Sequence, residues 1–305
     1  MKKFITYTVY FICPVIILMI VMEFALRQIP NDYKFKNEQI ELKKEAVELL
    51  ILGSSHSLYG INPKYFTNEA YNLAHVSQTI DLDYLLLNKY INELPKLKTV
   101  VIRLSYTTLH EQLDESAEAW RQKDYNLYYN LDVSNKLKFN SEVLSLKLKN
   151  NLKRLKNYYI DNEDPISVTN SGWANFKTSH ADKSLEELGF IVAKKHTAKN
   201  DDFVKENIEY IKKIANLGKE NNLKVIFVTL PAYKSYRTHL DKSQYEIVSS
   251  AGKKLEKQFQ NCSYLNLMSA KNFNEDDFYD PDHLKATGAK KLSNYINDFI
   301  INSNN

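Results

Sequence analysis

Apolar and polar positions sort this chain into three stretches. Phe4 through Met22 is a run of nineteen positions without a charge, bounded by Lys2 and Lys3 before it and Glu23 after it. As a helix rising about 1.5 Å per residue it would be ~28 Å long, close to one bilayer hydrocarbon core. Pro14 is compatible with that reading, because membrane helices tolerate single prolines. Residues 23–47 carry alternating charges, among them Lys34, Lys36, Glu38, Glu41 and Lys43, the pattern of a polar, partly helical neck. Beyond residue 47, short apolar runs alternate with longer helical repeats. Strands are predicted at about 48–52, 70–73, 99–104, 224–230 and 264–267, and helices at about 79–94, 203–221, 242–260 and 284–302. Strands alternating with such helices predict an α/β fold with a parallel sheet covered on both faces.

The stretch 106–200 breaks this rhythm. It is rich in Tyr, Asn and Lys, with Trp120, Tyr125, Tyr128, Tyr129, Tyr158, Tyr159 and Trp173 scattered through it. It reads as an insertion after the third strand, mainly helical or irregular, either covering a site at the sheet edge or packing on the body. The division expected is therefore a membrane anchor over 1–27, a polar neck over 28–46, and an α/β domain over 47–305 that carries the insertion.

Composition narrows the function classes. Forty-one basic residues against thirty-seven acidic ones give a net charge of +4, spread along the chain, which makes no case for nucleic acid. Two cysteines, Cys13 inside the apolar run and Cys262 far from it, do not predict an internal disulfide. No Gly-rich phosphate loop of either common pattern occurs. Lys2 and Lys3 favour a cytoplasmic N-terminus, which places the remainder beyond the membrane. The alternative to an anchor is a cleaved signal peptide. The length of the run and the lack of a small-x-small site in Glu23-Phe24-Ala25-Leu26-Arg27 favour an uncleaved anchor.

Two short segments carry the chemistry. Gly53-Ser54-Ser55-His56-Ser57 follows the apolar run Leu49-Leu50-Ile51-Leu52, so Ser55 falls at the carboxyl edge of the predicted sheet, where α/β proteins place their sites. Asp280-Pro281-Asp282-His283 lies just before the final helix and offers an acid and a base three residues apart. A serine is a poor nucleophile until an imidazole takes its proton and a carboxylate orients that imidazole. Ser55, His283 and Asp280 supply those parts. Each segment alone also reads as an ordinary turn.

In this order and at these positions the two segments resemble the SGNH, or GDSL-type, hydrolase superfamily. Its nucleophile sits in a block after the first strand, and its acid and base form a D-x-x-H block before the last helix. The resemblance covers roughly 47–105 and 222–302, and Lys285-Ala286-Thr287-Gly288-Ala289 is similar to the small-residue start of the family's closing helix. It implies a three-layer, flavodoxin-like sandwich with Ser55 as nucleophile, His283 as base and Asp280 as acid. Asp282 lies inside the block and does not match the acid. The family's oxyanion blocks are not matched. Asn72-Leu73-Ala74-His75-Val76-Ser77-Gln78 stands at the position of one, and Ser105 stands where the next has Asn. Gly53 and Ser55 at the turn, and His75, Gln78 and Ser105 beyond it, are the oxyanion or pocket candidates. One apolar anchor with these blocks is similar to the membrane-anchored SGNH-like proteins of bacterial surface-polysaccharide loci, and distantly similar to the D-alanine-transfer protein of teichoic acid assembly.

That resemblance implies serine-dependent acyl transfer or ester hydrolysis on a cell-surface polysaccharide, on the outer side of a bacterial cytoplasmic membrane. It implies no cofactor, and an acyl-donor membrane protein as a possible partner. The rival reading is a catalytically inactive protein of the same fold that binds glycan or assists assembly. Several residues keep two readings at this stage. His56 lines the pocket or is a polar residue of a helix's first turn; Arg103 is a buried, paired Arg or a substrate contact; Trp173 stacks on sugar or packs. His110, His180, His196 and His239 have no ligand-like spacing, so no metal site is expected.

Overall fold

The structure, a computed structural model, describes residues 1–176 and 184–303. The chain runs through α1 (Lys2–Gln28), α2 (Asp32–Lys43), β1 (Leu49–Leu52), α3 (Ser55–Gly60), β2 (Ala70–Asn72), α4 (Ile80–Tyr90) and β3 (Thr99–Arg103). Then come α5 (Gln122–Tyr129), α6 (Glu142–Ser145), α7 (Leu148–Tyr159), α8 (Leu185–His196) and α9 (Val204–Glu220). The last part is β4 (Lys224–Thr229), α10 (Lys234–Arg237), α11 (Lys242–Gln258), β5 (Cys262–Asn266) and α12 (Ala286–Asn302). Two compact units result, one made of residues 1–37 and 117–167, the other of 38–116 and 168–305.

The larger unit is built on five parallel strands in the order β2-β1-β3-β4-β5. All four residues of β1 are buried, as a strand covered on both faces requires. Leu49, Ile51, Val101, Ile226 and Val228 point to one face, where they pack with Leu292, Ile296 and Ile300 of α12. On the other face α9 and α11 come close enough to need glycine. A Cβ on Gly218 would stand 2.5 Å from the Val225 side chain, and one on Gly252 2.7 Å from the Tyr264 ring. Helices therefore cover both faces, giving the three-layer α/β sandwich that the SGNH resemblance implies. The chain leaves β1 for β2 on one side and returns to β3 on the other. That order makes the carboxyl end of β1 the switch point at which such sheets bind ligands.

The smaller unit holds α1, the first part of α2, and α5 to α7. Helix α1 is long and apolar enough to cross a membrane and is exposed along most of its length. Its last turns are tied down: Glu23 accepts hydrogen bonds from Ser141 Oγ at 2.7 Å and from the backbone of Glu142 at 3.1 Å and Val143 at 2.9 Å. The Tyr159 hydroxyl donates to the Ala25 carbonyl at 3.0 Å. Within the unit a fully buried Glu142 is held by Lys123 at 3.2 Å, Arg154 at 2.6 Å and the Tyr128 hydroxyl. A buried charge without such partners would be strongly destabilising. Many of the stretch's aromatics are the core of this unit, with Tyr33 edge-on to Tyr125 at 5.3 Å and Tyr129 at 6.3 Å.

Candidate active site

β1 delivers the chain to a turn that only glycine can make. Gly53 has φ +122°, and a Cβ there would meet Ser57 Oγ at 2.7 Å and the Arg103 Cβ at 2.8 Å. From below, the buried Asp83 of α4 accepts the Gly53 N–H and the Gln78 amide at 2.6 Å, and burial pushes its carboxyl up to about 7. Ser54 caps α3, its hydroxyl accepting the His56 N–H at 3.4 Å. Ser55 is thus the first residue of α3, and its backbone N–H is among the first-turn donors that a helix leaves without an internal acceptor. Asn72 fastens α3 to β2: its amide donates to the Ser57 and Ile61 carbonyls at 2.9 and 2.8 Å, and its oxygen accepts Ala74 N–H at 2.9 Å.

The other segment is held as a loop between paired residues. Phe278 and Leu284 form an antiparallel bridge, and Tyr279 N–H donates to the His283 carbonyl at 2.8 Å. One Asp280 oxygen accepts the backbone N–H of Asp282 at 3.0 Å and of His283 at 2.7 Å. Tyr233, just before α10, donates its N–H to the Pro281 carbonyl at 2.8 Å. Gly288 lets α12 start against this loop, since a Cβ would lie 2.4 Å from the Asp277 carbonyl oxygen. The two segments, 228 residues apart, then meet: Ser55 Oγ lies 2.8 Å from His283 Nε2. Behind the ring, His283 Nδ1 lies 2.9 and 3.0 Å from the two Asp280 oxygens. Tyr59, Phe176 and Tyr279 form a stacked aromatic wall beside it, with ring centroids 4.0 and 3.6 Å apart, and the first two sit edge-on to His283.

A further layer of partners was not legible in the spacing of the histidines. The buried Asp282 carboxylate lies 2.9 Å from His56 Nε2, 3.4 Å from His283 Nδ1 and 3.6 Å from His196 Nδ1. His56 stands in the first turn of α3 and also stacks on His283 at 4.5 Å, so both of its readings hold. Its Nδ1 faces the Ser54 hydroxyl at 3.1 Å and Arg103 Nη1 at 3.4 Å, which assigns the proton to Nε2, donating to Asp282. Burial and the neighbouring His283 charge lower the His56 pKa to about 4, so the ring is neutral. Burial opposes an imidazolium at His283 too, but the Asp282 and Asp280 charges prevail and raise its pKa well above the ordinary value. His56, Asp282 and His283 are close enough to suggest a metal site. The two rings, however, lie 14° from parallel, so their in-plane lone pairs do not converge on one ion.

Arg103 is buried and paired, 2.6 Å from Glu111 and 3.2 Å from Thr107, and its Nη1 lies 3.4 Å from His56 Nδ1. His75 is buried and donates its N–H to the Gly53 carbonyl at 3.2 Å, closing the turn from the β2 side. Gln78, also buried, donates from its amide to Asp83 at 2.6 Å. Ser105 donates its N–H to the Thr108 hydroxyl oxygen at 2.9 Å and lines, with His56, Tyr236 and Asp282, a cavity of about 20 Å³, room for one water. Trp173 packs, its indole N–H on the Tyr59 carbonyl at 2.8 Å. His110 pairs with Asp201 at 3.1 Å and His239 with the Ser235 carbonyl at 2.7 Å, while His180 lies outside the described residues.

No protein-family model matches the sequence, and no curated protein matches it. Solved structures similar to it include one described as an acylhydrolase from Bacteroides fragilis, 14% identical, with a TM-score of 0.42 over 87% of this chain and 96% of the other. A GDSL-like lipase from Bacteroides thetaiotaomicron is also 14% identical, with a TM-score of 0.41 over 90% of this chain and 100% of its own. Likeness this loose assigns neither substrate nor reaction to the chain.

Proposed function

We propose that this protein is a serine acyltransferase or esterase, anchored by residues 4–26 in a bacterial cytoplasmic membrane and acting on acyl groups of a cell-surface polysaccharide outside it. The observation that carries the reading is the continuous chain Ser55 Oγ, His283, Asp280, with separations of 2.8 and 2.9 Å. Ser55 attacks the acyl carbonyl while His283 Nε2 takes its proton. Asp280, held by two backbone N–H groups, keeps the other ring nitrogen protonated and stabilises the imidazolium. The C–O bond to the leaving alcohol then breaks as His283 returns the proton to that oxygen. The acyl-Ser55 ester passes its acyl group to a sugar hydroxyl or to water by the same steps in reverse. The Ser55 N–H is the first oxyanion donor, and the aromatic wall beside His283 suits a sugar face or an acyl chain.

A specific observation favours the rival reading, an inactive glycan-binding or assembly protein. Of the groups that stand in the oxyanion blocks, the Gln78 amide donates to the Asp83 carboxylate and the Ser105 backbone N–H to the Thr108 hydroxyl oxygen. Loss of one oxyanion donor lowers turnover by about 10²–10³, so activity in this chain is expected to be slow but measurable. Full-length protein in detergent would be assayed on aryl acetates and on O-acylated polysaccharide beside Ser55→Ala. Activity lost in that variant supports the enzyme reading. Activity unchanged in a folded Ser55→Ala protein contradicts it.

A further inference from the structure

The smaller unit carries a helix turned inside out. In a surface helix of a soluble domain, leucines face inward and Asn and Arg outward. In α7 the order is reversed. Asn151 is fully buried, its amide 3.1 Å from the Val143 carbonyl, and Arg154 reaches inward to the buried Glu142 at 2.6 Å. With that face fixed, Leu148, Leu152, Leu155 and Tyr159 share an arc of about 60° by helical geometry. Leu148 is 60% exposed, Leu152 52% and Tyr159 49%. Lys149, Lys153 and Lys156, all exposed, run along one edge of this stripe. Residues 136–156 hold seven basic side chains and one acidic one.

We propose that this stripe of α7 and its lysine edge rest on an anionic phospholipid surface where α1 leaves the bilayer. The inference rests on reading α1 as the span. Three observations select lipid over other occupants. The stripe belongs to the unit that contains α1, and Tyr159, at its end, bonds the Ala25 carbonyl three residues past Met22, where the uncharged run ends. The segment before it bonds Glu23, the first charge after the apolar run. An apolar stripe edged by lysines is the make-up of helices that lie in the headgroup region, with leucines among the acyl chains and ammonium groups on the phosphates. A second copy of the same face would set lysine against lysine.

The test uses the full-length chain in vesicles of phosphatidylcholine and phosphatidylglycerol, with and without brominated lipid. Native Cys13 in α1, labelled with an environment-sensitive dye in a Cys262→Ala chain, reports the span. Single labels at Leu152→Cys, Leu148→Cys and Asn150→Cys, in a chain lacking both native cysteines, report the two faces of α7. The inference predicts that brominated lipid quenches the labels at 148 and 152 several-fold more than the label at 150, and that iodide in the water does the reverse. Equal quenching on both faces overturns it, as does a label at 152 shielded from both quenchers, which would mean that protein covers the stripe. If Cys13 is quenched by lipid and 152 is not, the platform alone fails. If Cys13 is not quenched, the span fails and the platform with it.

Discussion

Asp280 and Asp282 sit two residues apart and do different work on the same imidazole. Asp280 touches Nδ1 with both oxygens and is itself positioned by two backbone N–H groups, whereas Asp282 is buried, 3.4 Å away, and shared with His56. Both carboxylates raise the His283 pKa. A protonated His283 cannot accept the Ser55 proton, so activity falls as pH drops through that raised value. The acid limb of kcat/KM is therefore expected above the ordinary histidine pKa of about 6.5. Asp282→Asn removes one charge and should shift that limb downward by about one unit or more, leaving the alkaline plateau within about tenfold of the parent. Asp280→Asn should instead lower the plateau itself, by roughly 10²–10⁴, because it loses the partner that fixes the tautomer. A pH–rate profile on each variant checks this, and an acid limb unmoved by Asp282→Asn would refute the charge argument. Spacing in the sequence paired Asp280 with His283, since i and i+3 meet across one turn. It was silent on Asp282, because which way that side chain points depends on the loop closed between Tyr279 and His283.

At the level of elements, the five strands and helices α4, α9, α11 and α12 lay within a few residues of the apolar runs and helical repeats that announce them, whereas α7 and α8 fell inside 106–200, expected only as a mainly helical or irregular insertion. β1 was expected over about 48–52 and spans Leu49–Leu52; the final helix was expected over 284–302 and spans Ala286–Asn302. Short elements escaped. Ser55–Gly60 is too brief to show a helical period, and its form follows from the Ser54 cap and the Gly53 turn. His196 reaches Asp282 only because α8 ends with it beside Tyr236, at 3.0 Å, a tertiary placement that no spacing encodes. Asn72 shows how an element is positioned for chemistry. Asn72→Ala would strip a donor from the Ser57 carbonyl in α3 and another from the Ile61 carbonyl just past it, each buried loss being worth about 1–3 kcal/mol. The expected result is a thermal midpoint lowered by several degrees, together with a fall in kcat larger than any rise in KM, as Ser55 loses its fixed position. An unchanged midpoint and unchanged kinetics would show that α3 is held by other contacts.

For the whole molecule, the central proposal joins an anchored chain to a serine site on the far side of the membrane. With the proposed orientation, Lys2 and Lys3 on the cytoplasmic side, protease added to intact spheroplasts should degrade the larger unit, whereas inverted vesicles should protect it. The opposite pattern would reverse the topology and remove the polysaccharide as substrate. Chemistry at Ser55 is the claim on which all else depends, and a fluorophosphonate probe tests it most directly, because it bonds only to a serine whose proton has an acceptor. The full-length protein in detergent would be labelled beside Ser55→Ala and His283→Ala, and the modified peptide read by mass spectrometry. A single adduct on Ser55 is expected, absent from Ser55→Ala and strongly slowed in His283→Ala. No adduct in a folded parent protein, or one that persists in Ser55→Ala, would contradict it.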